Sequence, residues 1–521
     1  MDTKRKHIRV TYSTLSSPDP LLHEYYEEDV VAAKASFGKT FPMYVNGDWV
    51  TADNTFTSVS PVDTSLTVGQ FQQSGPEDVD GAVQAARAAF PAWRETPWQE
   101  RSALLTKVAD LISERMFMLG AVISMEVGKN RLESIGEVEE AADLIRHCVT
   151  AMHENNGFSR QLASEDSNTR NHSVLKPYGV WGVISPFNFP CALAGGPAGA
   201  ALVAGNTVVH KPADDAPYMA YLLAECFHDA GLPAGAYNMV TGGDDPGKAL
   251  VANTDVNGIT FTGSYEVGMS ILRDYAAGGE FVRPLVAEMG GKNAAIVAPS
   301  ADLEMAALGV MRSAFGATGQ KCSACSRVYV HRDVKAAFTE RLVELTKQVK
   351  VGDPTLRDNY VGPLVNEAAY LAYQKYVDRA AADGEILVGG QTLDESGYYV
   401  APTVVANLPF EHYLWKEELF VPLVVVGEYE YREEAMRMVN DASLGLTAGF
   451  FSQDHAEVQW FLDNIEAGCV YVNRAAGATT GAWPGYQAFG GWKGSTGTNK
   501  SSMSYYYLQQ YMREQSQTVL S

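Results

Sequence analysis

From Ser173 onward the chain alternates short apolar strands with helical stretches, and this alternation restricts the fold more than any other feature. Val180–Ser185, Thr207–His210, Tyr237–Val240, Gly258–Phe261 and Val282–Ala287 read as strands. Strands separated by helices predict an open parallel sheet of the α/β class. A second α/β series runs from Asn293 to about Asn473. Upstream, amphipathic patterns near 77–93, 97–126 and 130–154 predict helices, and Met43–Val50 predicts a hairpin around Asn46-Gly47. Residues 1–37 read as an acidic, partly helical extension, and 155–171, rich in Ser and Asn, as a polar loop. The tail, 497–521, contains Tyr505-Tyr506-Tyr507 and reads as a strand in need of a partner.

At 521 residues the chain exceeds what one core can organise, so two large domains and an accessory piece are expected. Its 40 Lys+Arg against 62 Asp+Glu leave a net charge of -22, which argues against nucleic acid or an anionic membrane as partner. Six cysteines, at 148, 191, 226, 322, 325 and 469, make no disulfide scaffold and fit a reducing cytoplasm. The basic start, Met1 to Lys6, is followed by no apolar stretch, so a secretory signal is not expected. Residues 178–210 carry no formal charge, a length that suggests a membrane span. Pro186, Asn188, Pro190, Pro197 and Asn206 interrupt them, and a buried strand-turn-helix-strand is the expectation.

Several short motifs carry possible chemistry. Gly319-Gln320-Lys321-Cys322-Ser323 sets a thiol after a turn and beside a lysine, where backbone N–H groups and a cation would favour thiolate. Cys322-Ser323-Ala324-Cys325 lacks the further ligands that zinc needs, so no metal site is expected. Glu288 stands just past a predicted strand end, before Gly290-Gly291, where a carboxylate can serve as general base. Phe261-Thr262-Gly263-Ser264 leads from a strand into a helix containing Gly268, an arrangement suited to an anion. In Pro186-Phe187-Asn188-Phe189-Pro190 the Asn188 amide could donate to a developing oxyanion. Read singly, each motif fits an ordinary turn or a half-buried cysteine more readily than a site.

Their order is more specific. Ser185 to Pro190, Lys211-Pro212, Phe261 to Ser264, Glu288 to Asn293, Gly319 to Ser323, Glu417-Glu418-Leu419-Phe420 and Phe489-Gly490-Gly491 follow one another in a succession that closely resembles the aldehyde dehydrogenase superfamily, over roughly residues 40–515. Within it the chain is most similar to the 1-pyrroline-5-carboxylate (L-glutamate γ-semialdehyde) dehydrogenases. The N-terminal extension, Gly-Gln-Lys-Cys-Ser-Ala, Asn473-Arg474, Thr480-Gly481-Ala482 and Gly497-Thr498-Asn499 carry that likeness. The chain departs from the pattern at Val421, where a Gly is usual, and at Ala488, where a Pro is common. The segment between Arg474 and Gln487 is about three residues longer than usual.

The resemblance implies a Rossmann-type NAD-binding domain (38–154 and 176–287) and an α/β catalytic domain (288–473). It also implies a small β oligomerisation element (155–175 and 497–521) and an aldehyde-anchor loop that returns to the NAD-binding domain (474–496). It implies Cys322 as nucleophile, Glu288 as base and Asn188 as oxyanion donor. NAD would be held by Ser185, Pro186, Phe187, Lys211, Asp214, Gly263, Ser264, Gly268, Glu418 and Phe420, with Asp214 disfavouring a 2′-phosphate. Ser323, Gly481 and Ala482 would take the substrate carboxylate, with Lys321 adding attraction, and Glu140 would face its ammonium. Phe187 and Phe489 would flank the aliphatic chain. A homodimer at least is implied. Two other readings stay open: a dehydrogenase for another semialdehyde, such as succinate semialdehyde, and a non-catalytic protein on the same fold.

Overall fold

A computed structural model describes residues 8–11, 14–16, 18–277, 282–393, 396–498 and 500–520. The first of its two large sheets has the order Leu285–Glu288, Val256–Thr262, Val180–Ile184, Thr207–Lys211, Tyr237–Met239, Met43–Val45, Asp48–Val50. The first five strands run parallel, and the Asn46-Gly47 hairpin adds the last two antiparallel through Tyr44 and Met239. The chain enters the parallel part of this sheet at Val180–Ile184, proceeds outward through Thr207–Lys211 and Tyr237–Met239, then crosses back to Val256–Thr262 on the other side. The strand order therefore reverses between Val180–Ile184 and Val256–Thr262, and the crevice at the carboxyl ends of these strands is where open α/β sheets bind ligands.

The uncharged stretch folds as expected, into strand Val180–Ile184, helix Ala192–Ala204 and strand Thr207–Lys211. No helix among the described residues is long and apolar enough to cross a membrane. The second sheet has the order Glu385–Val388, Thr403–Ala406, Leu423–Tyr429, Cys325–His331, Asn293–Val297, Thr447–Phe451, Cys469–Val472, parallel except at its first strand.

Three expectations need correction. The pattern over 97–126 is two helices, Trp98–Glu114 and Met116–Val127, broken at Arg115. The first buries one face, whereas the second is buried almost all round. The polar loop at 155–171 contains strand Ser159–Gln161 and the start of strand Thr169–Pro177. The tail becomes a strand only at Met512–Leu520, which pairs along its length with Thr169–Pro177 of the same chain. Tyr505, Tyr506 and Tyr507 precede it in a turn, with Tyr507 buried. Residues 1–7, 12, 13 and 17 of the expected extension lie outside the described residues, as does Asn499; helix Pro20–Ser36 accounts for the helical part.

Candidate active site

Cys322 follows a backbone segment that few sequences tolerate. Ala317 (φ 47°), Thr318 (φ 58°) and Gly319 (φ 70°) are consecutively left-handed. Glycine adopts this conformation freely, while the other two residues cost roughly 1–2 kcal/mol each there. A side chain at Gly319 would also strike the Val421 carbonyl, 2.4 Å from a Cβ at that position. Surrounding groups hold the turn. Asn188 Nδ2 donates to Gln320 O at 2.9 Å, Asn293 Nδ2 to Cys322 O at 2.7 Å, and Val365 N–H to Gln320 Oε1 at 2.9 Å.

The Asn188 loop is itself braced from below. Glu137 is fully buried, paired with Lys129, and accepts from the N–H groups of Cys191 and Ala192 at the start of helix Ala192–Ala204. The Lys129 ammonium lies 3.6 Å from the centre of the Phe189 ring. Asn188 therefore spends one amide hydrogen on the Gln320 carbonyl.

Glu288 is the last residue of strand Leu285–Glu288, in register with Thr262, rather than past the strand end. The strand begins at Leu285 because Val282 is fully exposed and has no sheet neighbour. Burial pushes the Glu288 carboxyl up to about 7, opposed by the N–H and hydroxyl of Ser502. Sequence reasoning missed Ser502, which carries no motif; it reaches Glu288 because the chain after Ser495 returns beside this strand.

The thiol environment differs from expectation. Burial raises the Cys322 thiol, with Glu418 and Glu288 adding to the rise and the N–H groups of Ser323 and Cys322 opposing it. The lysine beside it contributes no pairing, because the Lys321 ammonium is engaged with the Glu133 carboxylate.

Cys322 and Glu288 open into one cavity of about 350 Å³. Its wall also includes Glu140, Phe189, Ser323, Thr480, Gly481, Ala482 and Phe489. Phe187, expected beside the substrate, instead sets its ring edge-on to Phe420 at 5.9 Å, and Phe189 occupies the wall. Arg312 and Arg474 also line the cavity. Arg312 Nη1 donates to Ala475 O at 3.2 Å and Arg474 Nη2 to Gly481 O at 3.2 Å, so both arginines grip the lengthened 474–487 segment. Neither has a carboxylate partner among the described residues. Gly481 is obligatory in its setting: its φ is 116°, and a Cβ would sit 2.2 Å from Arg474 Nη2. Leu15, from the N-terminal segment, closes part of the wall, and Arg9 Nη2 donates to Tyr486 OH at 3.3 Å.

The expected cofactor residues gather at the reversal of strand order. Ile184 pairs with both Lys211 and Phe261, which brings Ser185, Pro186, Lys211 and Ser264 to adjacent strand ends. Ser185 Oγ is 2.8 Å from His210 Nε2, and His210 Nδ1 is 2.9 Å from Tyr237 OH; burial lowers His210 to about 3, so the ring is neutral. Burial pulls the Lys211 ammonium down, and Asp214, Asp244 and Asp215 pull it back. Asp214 is exposed beside Gly243. Ser264 Oγ accepts from Val267 N–H at 3.3 Å at the head of helix Tyr265–Ala277. Gly263 packs against the Phe261 ring. Gly268 does not face the crevice: a Cβ there would meet Met289 Sδ at 2.4 Å, so this glycine permits helix-on-sheet packing. Glu418 is half-buried, accepts from Gly291 N–H at 2.9 Å and is pushed up to about 7 by desolvation.

Cys325 begins strand Cys325–His331, and its Sγ lies 3.5 Å from Arg327 O; all six cysteines are free. No group of three potential metal ligands occurs among the described residues.

The family model for aldehyde dehydrogenases matches residues 49–517. The chain belongs to the aldehyde dehydrogenase family. This aldehyde dehydrogenase is 35% identical over 497 residues to the 1-pyrroline-5-carboxylate dehydrogenase of Staphylococcus haemolyticus, covering 94% of this chain and 95% of the relative. It is 34% identical over 493 residues to the enzyme of that name from Bacillus subtilis, covering 94% of each chain. A solved 1-pyrroline-5-carboxylate dehydrogenase from Thermus with bound NAD superposes with a TM-score of 0.94 at 31% identity, over 100% of both chains.

Proposed function

We propose that this aldehyde dehydrogenase oxidises L-glutamate γ-semialdehyde, the open form of 1-pyrroline-5-carboxylate, to L-glutamate with NAD, as the second step of proline catabolism. One observation carries the reading. A single cavity joins Cys322 and Glu288 to Glu140, Ser323, Gly481 and Ala482, in a chain 35% identical to enzymes of that name. The switch-point crevice fits a dinucleotide: buried Lys211 and exposed Asp214 would take the adenosine ribose, Ser264 and its helix head a phosphate, and Glu418 the nicotinamide ribose. NAD, when bound, supplies the hydride acceptor.

In this mechanism Cys322 Sγ bonds to the aldehyde carbon, its proton passing to solvent water as the carbonyl π pair moves onto oxygen. The free amide hydrogen of Asn188 and the Cys322 N–H hold the developing oxyanion. After oxidation to the thioester, ionised Glu288 takes a proton from water. The hydroxide adds to the thioester carbonyl, the C–S bond breaks and the acid leaves. The substrate carboxylate is received by the Ser323 hydroxyl and the N–H groups of Gly481 and Ala482, with Arg312 and Arg474 adding positive charge. Lys321, held by Glu133, contributes less attraction than its position in the sequence implies. Glu140, on helix Arg131–Glu154, receives the ammonium.

This charge arrangement distinguishes glutamate semialdehyde from succinate semialdehyde, which lacks the ammonium that Glu140 would pair. L-Glutamate should inhibit competitively against the aldehyde. Glu140→Ala should lower kcat/KM for glutamate semialdehyde far more than for succinate semialdehyde. An equal loss on both substrates would remove the assignment of Glu140 and of the amino-acid substrate.

The reading extends to organisation. The NAD-binding domain is taken as 38–154 with 176–287, the catalytic domain as 288–473, and the anchor loop as 474–496. The three-stranded sheet of 155–175 and 497–521 would join a second copy in a cytoplasmic homodimer or larger homo-oligomer.

A further inference from the structure

Glu133 meets both ends of the left-handed turn. It sits in the first turn of helix Arg131–Glu154, where the capping Asn130 accepts its N–H at 3.0 Å through Oδ1. Asn130 Nδ2 donates back to Glu133 Oε2 at 2.6 Å. The same Oε2 accepts the Ala317 N–H at 2.7 Å, at the start of the turn. Oε1 receives the ammonium of Lys321, at the end of the turn and next to Cys322. The fit is close: a Cβ at Gly316 would lie 2.7 Å from Glu133 Oε1 and 3.0 Å from Lys321 Nζ. A carboxylate fixed by a helix head thus spans residues 317 to 321, where the backbone is strained and cannot hold its shape by local preference.

We propose that Glu133 is the positioning residue for the nucleophile: it clamps the turn 317–321 and keeps the Lys321 ammonium off the Cys322 thiol. The proposal rests on the reading of Cys322 as nucleophile. Glu133 does not touch the reacting atoms. Its effect should fall on the step in which Cys322 bonds to the aldehyde, not on cofactor binding, because its contacts reach the turn and not the strand ends near Lys211 and Ser264.

The test compares Glu133→Gln and Glu133→Ala with the parent in stopped flow, with rates referred to titratable Cys322 so that unfolded protein is divided out. A displaced nucleophile costs on the order of 100-fold in rate. Glu133→Ala should slow the NADH-forming first turnover by about that factor, with the NAD dissociation constant unchanged. Glu133→Gln, which keeps an acceptor for the Ala317 N–H but releases Lys321, should fall between. A folded Glu133→Ala whose first turnover stays within about twofold of the parent overturns the proposal. So does a loss shared equally by the NAD dissociation constant. Iodoacetamide separates this failure from a wrong nucleophile: the proposed function fails if carboxamidomethylated Cys322 leaves turnover intact, whatever the Glu133 variants do.

Discussion

At the residue scale, the proposed mechanism makes Glu288 the group that would govern the pH dependence. It accepts a proton from water only when ionised, and burial sets its ionisation near pH 7. Below about pH 6, kcat should therefore climb roughly tenfold per unit, levelling above about pH 8, wherever deacylation limits turnover. A profile flat from about pH 5 to about pH 8 would contradict this. Glu288→Gln should still release a burst of about one NADH per site before stalling at the thioester. Loss of the first turnover would place Glu288 in thiol deprotonation as well. Asp214→Ala should narrow the preference for NAD over NADP, since the exposed carboxylate repels a 2′-phosphate; an unchanged ratio of kcat/KM values would remove that role. The motifs marked Cys322, Glu288 and Asn188 because each needs a particular atom at a particular turn. They could not show which way Lys321, Phe187 and Gly268 face. That depends on Glu133, Phe420 and Met289, each far away in sequence.

At the scale of elements, parallel strands were legible because they are short, apolar and bounded by turns. Val180–Ile184 and Thr207–Lys211 differ from expectation by one residue. Helix Met116–Val127 was not separable from its neighbour, because a helix buried all round loses the periodicity that marks an end. Glu126 in that helix illustrates another limit. Its buried carboxyl accepts from the N–H groups of Tyr218 at 2.7 Å and Met219 at 2.9 Å, capping helix Pro217–Ala230 from a different part of the chain. Burial pushes it up to about 8. Glu126→Ala leaves two buried donors unpaired, a loss of about 2–4 kcal/mol, and should lower the thermal midpoint measured by calorimetry. An unchanged midpoint would mean that the two N–H groups find other acceptors. The left-handed turn at Ala317 and Thr318 was equally hidden, since both residues are ordinary in other backbone settings.

For the whole molecule, the two large sheets bring the site together only where the chain crosses between them. Cys322 comes from the approach to one sheet, Glu288 from the last strand of the other, and the cavity wall is completed by the 474–489 segment. The accessory sheet leaves Met512–Leu520 as a long outer strand with Val519 and Leu520 exposed. Ending the chain after Tyr511 should shift the particle to a smaller mass in light scattering. An unchanged mass would mean that this strand does not join copies. On the proposed function, one cavity oxidises an amino-acid aldehyde with NAD through Cys322. The direct measurement is NADH formation by the wild-type chain and by Cys322→Ala, with 1-pyrroline-5-carboxylate, succinate semialdehyde and propanal compared by kcat/KM. A clear preference for 1-pyrroline-5-carboxylate is expected, abolished in Cys322→Ala while NAD still binds. A preference for either other aldehyde, or turnover surviving without the Cys322 sulfur, would contradict it.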